Sequence, residues 1–147
     1  MTKFKDLGLK DEVLRGITDQ GFEEAFEIQE AVIPVLLSGR DVVGQAHTGS
    51  GKTAAFALSM LNDITPKKGI QGLIMAPTRE LAMQISTEIK KMGKYTGIKI
   101  ATVYGGQGMG IQLDALHRGV EIIVATPGRL IDHLKRGRYN VRHGICR

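Results

Sequence analysis

The feature that most constrains this 147-residue chain is an alternation of short apolar runs with helical patterns. The runs are DVVGQA (41–46), GLIMAP (72–77), IKIATVY (98–104) and EIIVATP (121–127). Each is β-branched and nearly continuously apolar, as a strand covered on both faces must be. Between them, KTAAFALSMLNDI sets Ala55, Leu58, Met60 and Leu61 toward one side. RELAMQISTEIKKMG places Leu81, Ile85 and Ile89 at a spacing of four and stops at Gly93. GIQLDALHRG and PGRLIDHLKRG are shorter and also end in glycine. Strand–helix units of this length imply a parallel sheet with right-handed crossovers. Two further helices are expected ahead of the first strand, about Asp11–Gln20 and Ile28–Leu37, the second bent at Pro34. The expected fold class is α/β, an open parallel sheet with helices on both faces.

Composition narrows the setting. A chain of 147 residues with 42% hydrophobic residues has the size of one domain. The longest apolar run, AVIPVLL at 31–37, is far short of the roughly 18 residues of a membrane span. The N-terminus MTKFKDLGLKDE has no apolar signal core, and Cys146 has no second cysteine to pair with. These features favour a reducing, cytoplasmic setting. The net charge of +5 misleads if taken as a binding face. Setting aside Lys135, Arg136, Arg138, Arg142 and Arg147 leaves basic and acidic residues equal at 15 each. Any nucleic-acid role must therefore rest on local motifs. His47, His117, His133 and His143 lack metal-ligand spacing and are expected at the surface. ITPKKG at 64–69 reads as a solvated loop.

In open parallel sheets, ligands gather at the carboxyl ends of the strands. Here those ends are followed by HTGSGKT, TREL, GGQG and PGR, which are groups suited to phosphate. The stretch AHTGSGKT, Ala46, His47, Thr48, Gly49, Ser50, Gly51, Lys52 and Thr53, fits a strand–loop–helix phosphate motif, with Ala46 where many versions have a first glycine. Gly49 and Gly51 let successive amides turn inward into an anion nest at a helix start. Lys52 then reaches the β- and γ-phosphates of a nucleotide, and the Thr53 hydroxyl holds Mg²⁺.

Together with PTRELA (77–82), Gly105–Gly106 and TPGR (126–129), this loop makes the chain resemble the first RecA-like domain of a DEAD-box RNA helicase. The resemblance covers about Phe4 to Gly137. It implies ATP as the nucleotide and RNA as the partner. In that family an upstream aromatic residue and a glutamine-centred motif select adenine; the matching residues are Phe4 and the stretch GFEEAFEIQ ending in Gln29. A glutamine amide offers a donor and an acceptor to the adenine edge, and the Phe4 ring would stack on the base, while Phe22 is divided between that role and packing. The resemblance also implies RNA-backbone contacts from Pro77, Thr78, Arg79, Gly105, Gly106, Thr126, Pro127, Gly128 and Arg129. Contacts of that kind are independent of base sequence and sensitive to salt.

Two departures qualify the resemblance. Ala25 and Phe26 stand where the family usually has Pro-Thr, so the hydroxyl that helps join adenine binding to the phosphate loop is missing. Nor does an acid directly follow any of the four strand ends, although hydrolysis needs a carboxylate to place Mg²⁺ and another to orient water. The family's acidic motif follows a later strand, whereas RYNVRHGICR shows neither acid nor apolar strand. The expectation is therefore a partial N-terminal RecA-like domain over 1–137, with the glutamine-motif region at 1–30 and a basic tail unlike the family at 138–147. It is expected to bind ATP without hydrolysing it and to have an exposed sheet edge prone to pairing. The competing readings are a non-catalytic ATP- or RNA-binding module and part of a related DNA helicase.

Overall fold

A computed structural model describes residues 1–135 together with Ile145–Cys146. Its contacts divide the chain into two compact units, Met1–Asp63 with Glu88–Gly97, and Ile64–Thr87 with Ile98–Arg147.

The first unit is helical. The chain opens with a 3₁₀ turn, Phe4–Asp6, pinned by the Phe4 N–H on the Glu23 carbonyl (3.1 Å) and the Ala25 N–H on the Thr2 carbonyl (2.9 Å). Helix α1 (Asp11–Thr18) begins with Asp11 and Glu12, whose charge suits the positive end of the helix dipole, and buries Val13 and Ile17 at a spacing of four. Gly16 is required there, because a β-carbon would lie 2.0 Å from the Met92 carbonyl oxygen. Helix α2 (Glu27–Leu37) continues through Pro34, which removes the N–H that would meet the Glu30 carbonyl. Helix α3 (Lys52–Asp63) packs against both α1 and α2. Ile33, Leu58, Leu61 and Ile89 are fully buried in this unit, each contributing about 1.5–3 kcal/mol.

The second unit is a parallel sheet in the order β2-β3-β1-β4, where β4 is Ile145–Cys146. Strand β1 (Gly72–Met75) leads to α4 (Arg79–Met92), β2 (Ile100–Val103) to α5 (Met109–His117), and β3 (Ile122–Ala125) to α6 (Pro127–Lys135). β3 lies between β1 and β2, in register Gly72↔Ile122 and Ile100↔Ile122, and is buried at all its positions. Full coverage of a central parallel strand explains its unbroken apolar run. Ala101, Val103, Val120, Ile123, Ala125 and Leu130 form the core. Glu121 is buried, its carboxylate accepting the Lys67 N–H (2.8 Å) and the Lys99 N–H (2.6 Å). The 64–69 segment is therefore more organised than a solvated loop: Gln71 also bonds the Thr65 N–H and carbonyl from its side chain.

The structure corrects four further expectations. Residues 41–46 are not a strand but an irregular segment, with Val43 wholly exposed. Two valines favour extension, yet a strand needs a ladder partner, and this segment has none among the described residues. In the first unit its Gly44 passes over Ile28 and Val32 of α2, and its Ala46 carbonyl accepts from the Lys52 ammonium. Conversely, Ile145–Cys146 forms a short strand β4 on the open side of β1, in register Gly72↔Ile145. An unpaired edge offers N–H and C=O groups to any nearby backbone. Leu81 is exposed although Ile85 and Ile89 are buried, because it lies in the first turn of α4. His133 is fully buried rather than superficial. The remainder of the 138–147 tail, including His143, lies outside the described residues.

Candidate nucleotide and nucleic-acid sites

In the first unit the phosphate-type loop is curled. Gly49 and Gly51 hold φ near +82° and +83°, a left-handed conformation that costs other residues about 1–2 kcal/mol. The Ser50 N–H bonds back to the His47 carbonyl at 3.3 Å, closing the turn. Lys52 and Thr53 open α3, where the first amides lie outside the helical ladder. The Lys52 ammonium donates to the carbonyls of Ala46 and His47, the latter at 3.0 Å. Ser50 Oγ is buried without a partner among the described residues. Curled amides, an ammonium at the loop's centre and an unsatisfied hydroxyl suit a phosphate chain. Thr53 is half-buried beside them.

Gln29 joins this loop to the segment ahead of α2. It is 3% exposed; its Oε1 accepts the Phe26 N–H (2.9 Å) and its Nε2 donates to the Gly51 carbonyl (3.1 Å). Phe26 has no side-chain acceptor to cap α2, so only the glutamine half of a reciprocal cap forms. The Phe26 ring instead lies against the loop: a β-carbon on Gly51 would come within 2.8 Å of Phe26 Cδ2. The missing hydroxyl therefore does not leave the glutamine segment disconnected from the loop. The two upstream aromatic residues differ in exposure. Phe4 is 5% exposed and belongs to the core, whereas Phe22 is 49% exposed.

The RNA-type residues lie in the second unit. Pro77 and Thr78 follow β1, and Thr78 caps α4 by accepting the Leu81 N–H at 3.2 Å. Arg79 is exposed and lies over the neighbouring loop, since a β-carbon on Gly106 would come within 3.0 Å of Arg79 Nη1. Its 3.4 Å ion pair with Glu80 is exposed and weak, so the guanidinium is available. Gly105 and Gly106 are exposed, and Gly106 has φ +86°. Thr126 extends the β2–β3 pairing through its N–H to the Val103 carbonyl (2.9 Å). Pro127 starts α6, where its missing N–H costs no helical bond, and Gly128 is exposed beside it. Arg129 is half-buried and donates to the Gln107 carbonyl (2.9 Å). In this structure that bond braces the loop carrying Gly105 and Gly106.

Sequence inspection missed Gln112, which is 2% exposed and bonded to Tyr104, Gln107, Arg129 and His133. One signal was present: Gln112 lies three and four positions ahead of Ala115 and Leu116, on the apolar stripe of α5.

A curled phosphate-type loop opening a helix in the first unit, and in the second an open parallel sheet whose strands lead to arginine-bearing helix starts, define a P-loop, RecA-like class of protein. The DEAD/DEAH box helicase family matches residues 26–145, and the chain belongs to that family. The match reaches into the tail that sequence inspection set apart. The chain is 51% identical over 135 residues to the DEAD-box ATP-dependent RNA helicase RhpA of Helicobacter pylori, covering 92% of this chain and 27% of that protein. It is 52% identical over 138 residues to the ATP-dependent RNA helicase DeaD of Klebsiella pneumoniae, covering 92% and 22%. The chain thus spans about a quarter of the length of the curated relatives it matches. Among solved structures, a DEAD box protein from the hyperthermophile Methanococcus jannaschii is 40% identical with a TM-score of 0.92, covering 99% of this chain and 41% of that one. Saccharomyces cerevisiae Dbp5 bound to RNA and ADP BeF3 is 32% identical with a TM-score of 0.87, covering 99% and 38%. Among the described residues, no helix is long and apolar enough to cross a membrane.

Proposed function

We propose that this chain is the ATP-binding and RNA-contacting part of an ATP-dependent DEAD-box RNA helicase, an enzyme that locally unwinds or remodels RNA. The observation that carries this reading is the curled Gly49–Gly51 loop, with Lys52 opening α3 and Gln29 fastened to Gly51. Family membership and the relatives' names support it.

In this reading the loop amides and Lys52 hold the β- and γ-phosphates of ATP, and Lys52 exchanges its carbonyl partners for phosphate oxygens. Thr53 supplies one Mg²⁺ ligand. Among the described residues no group of three His, Cys, Asp or Glu side chains forms a metal site. Gln29 faces the adenine, and Phe22 offers the open aromatic face on the same segment. Pro77, Thr78 and Arg79 with Gly105 and Gly106, and Thr126 to Arg129, form the RNA face, reading sugar and phosphate without base preference. RNA and ATP are both cytoplasmic in the bacteria that carry the matched relatives, and the cytoplasm is the proposed location.

Hydrolysis requires a carboxylate near the phosphates. The residues after β1, β2 and β3 are Ala76–Pro77, Tyr104–Gly105 and Thr126–Pro127, none of them acidic. The expected behaviour of the chain alone is ATP binding without turnover, and competition by single-stranded RNA stronger than by DNA of the same sequence. Phosphate release stimulated by RNA, or preference for DNA, contradicts this reading.

A further inference from the structure

Hydrogen bonds fill all the polar capacity of the Gln112 amide. Its Nε2 donates to the Tyr104 carbonyl at 2.8 Å and to Gln107 Oε1 at 3.0 Å. Its Oε1 accepts from Arg129 Nη1 at 3.4 Å, and faces His133 Nε2 at 3.0 Å. The oxygens on either side of Nε2 fix which end of the amide is which. Oε1 can only accept, so His133 carries its proton on Nε2. Arg129 Nη1 closes a second link on the Gln107 carbonyl at 2.9 Å. A primary amide has two donors and two lone pairs, and here each has a partner. Gln112 and His133 are 2% and 0% exposed, so water does not replace a lost bond.

The partners are not scattered. Tyr104 and Gln107 bracket the exposed Gly105–Gly106 pair, while Arg129 and His133 lie one turn apart on α6. Resting on the RNA reading above, we propose that Gln112 is a positioning residue for RNA. It holds the Gly105–Gly106 loop and the start of α6 as one rigid surface, so that two backbone-contacting segments meet the same strand in register. Arg129 serves this surface as a brace through Gln107. Preorganised donors of this kind bind without ordering cost at the moment of contact.

The test is fluorescence anisotropy of the full chain with a fluorescein-labelled oligouridylate, for wild type, Gln112→Leu and Gln107→Ala. Thermal melts report folding, and nitrogen-15 NMR of the imidazole reports the His133 tautomer. Gln112→Leu keeps the apolar volume but leaves buried donors and acceptors unmatched, so RNA affinity falls roughly tenfold and the Nε2–H signature of His133 is lost. Gln107 is only half-buried; Gln107→Ala retains the fold and loses affinity by a smaller factor in the same direction. A folded variant of either kind that binds RNA as tightly as wild type overturns the role of Gln112 alone. A wild-type chain that does not bind RNA overturns the RNA reading and this role with it.

Discussion

The side-chain nitrogen of Gln29 donates to the carbonyl of Gly51 at 3.1 Å, tying the glutamine segment to the phosphate-type loop. Gly51 is pinned from two directions. A β-carbon there would lie 2.3 Å from Gln29 Nε2 and 2.8 Å from Phe26 Cδ2. Gly49 has nearly the same φ, yet a β-carbon there meets nothing within 4 Å. Gly49→Ala should therefore cost only the left-handed backbone, about 1–2 kcal/mol. Gly51→Ala should cost distinctly more, because Gln29 and the ring must also shift. Urea midpoints of the two variants check this; equal losses would show that the Gln29 contact is not fixed in solution.

Phe26 occupies the cap position of α2 with extended φ and ψ of −69° and 160° but has no acceptor to offer. Phe26→Thr supplies one, and should add about 1 kcal/mol to stability, less whatever packing the ring gives against the loop. A higher melting temperature is the expected result. A fall would mean that the ring's contact with the Gly51 region outweighs the cap.

Glu121 closes the amino-terminal end of the sheet by accepting two backbone N–H groups, from Lys67 and Lys99. Glu121→Gln turns one acceptor into an NH₂ facing an N–H. The expected loss is about 1–3 kcal/mol, seen as a lower urea midpoint. Both N–H groups lie in the second unit, whereas the loop proposed to hold ATP lies in the first, so ATP affinity should stay at the wild-type value.

Asp19 is held below the ordinary aspartate pKa, first by the Tyr95 hydroxyl that donates to its carboxylate and then by Lys94 and Arg15. Arg15 also stacks 4.2 Å above the Tyr95 ring. A depressed carboxylate stabilises the fold above its unfolded pKa, about 3.9, and that contribution disappears as pH falls through the folded pKa. Tyr95→Phe removes the main cause. The Asp19 titration, followed by NMR, should move upward toward the ordinary value, and the acid-induced loss of stability should become shallower. An unchanged Asp19 midpoint would contradict the assignment to Tyr95.

Much of this architecture is legible in the residues themselves. The helices over 52–63 and 79–92 follow from apolar spacing, the second with Gly93 as its stop, and β1, β2 and β3 from β-branched runs. What periodicity does not carry is partnership. Residues 41–46 look like a strand and are not one, because a ladder depends on a neighbour as well as on local preference. Ile145–Cys146 shows the reverse case, a weak local signal recruited by an open edge. Side-chain roles divide in the same way. Lys52 and Gly51 are readable because a phosphate loop is local. Gln112 and the buried His133 escape notice because their meaning lies in contacts made across 5 to 21 residues of chain. Phe4 and Phe22 are alike in type, and only packing distinguishes the buried ring from the open one.

The central claim is that the loop from Gly49 to Thr53 captures a triphosphate. Calorimetric titration of ATP into the chain, beside Lys52→Ala, tests it most directly. Removing a charge-assisted contact to phosphate worth about 1.5–3 kcal/mol should weaken ATP binding roughly 10- to 150-fold, with the melting temperature in the absence of ATP little changed. Equal affinities for the two proteins, or no measurable heat with either, would contradict the account.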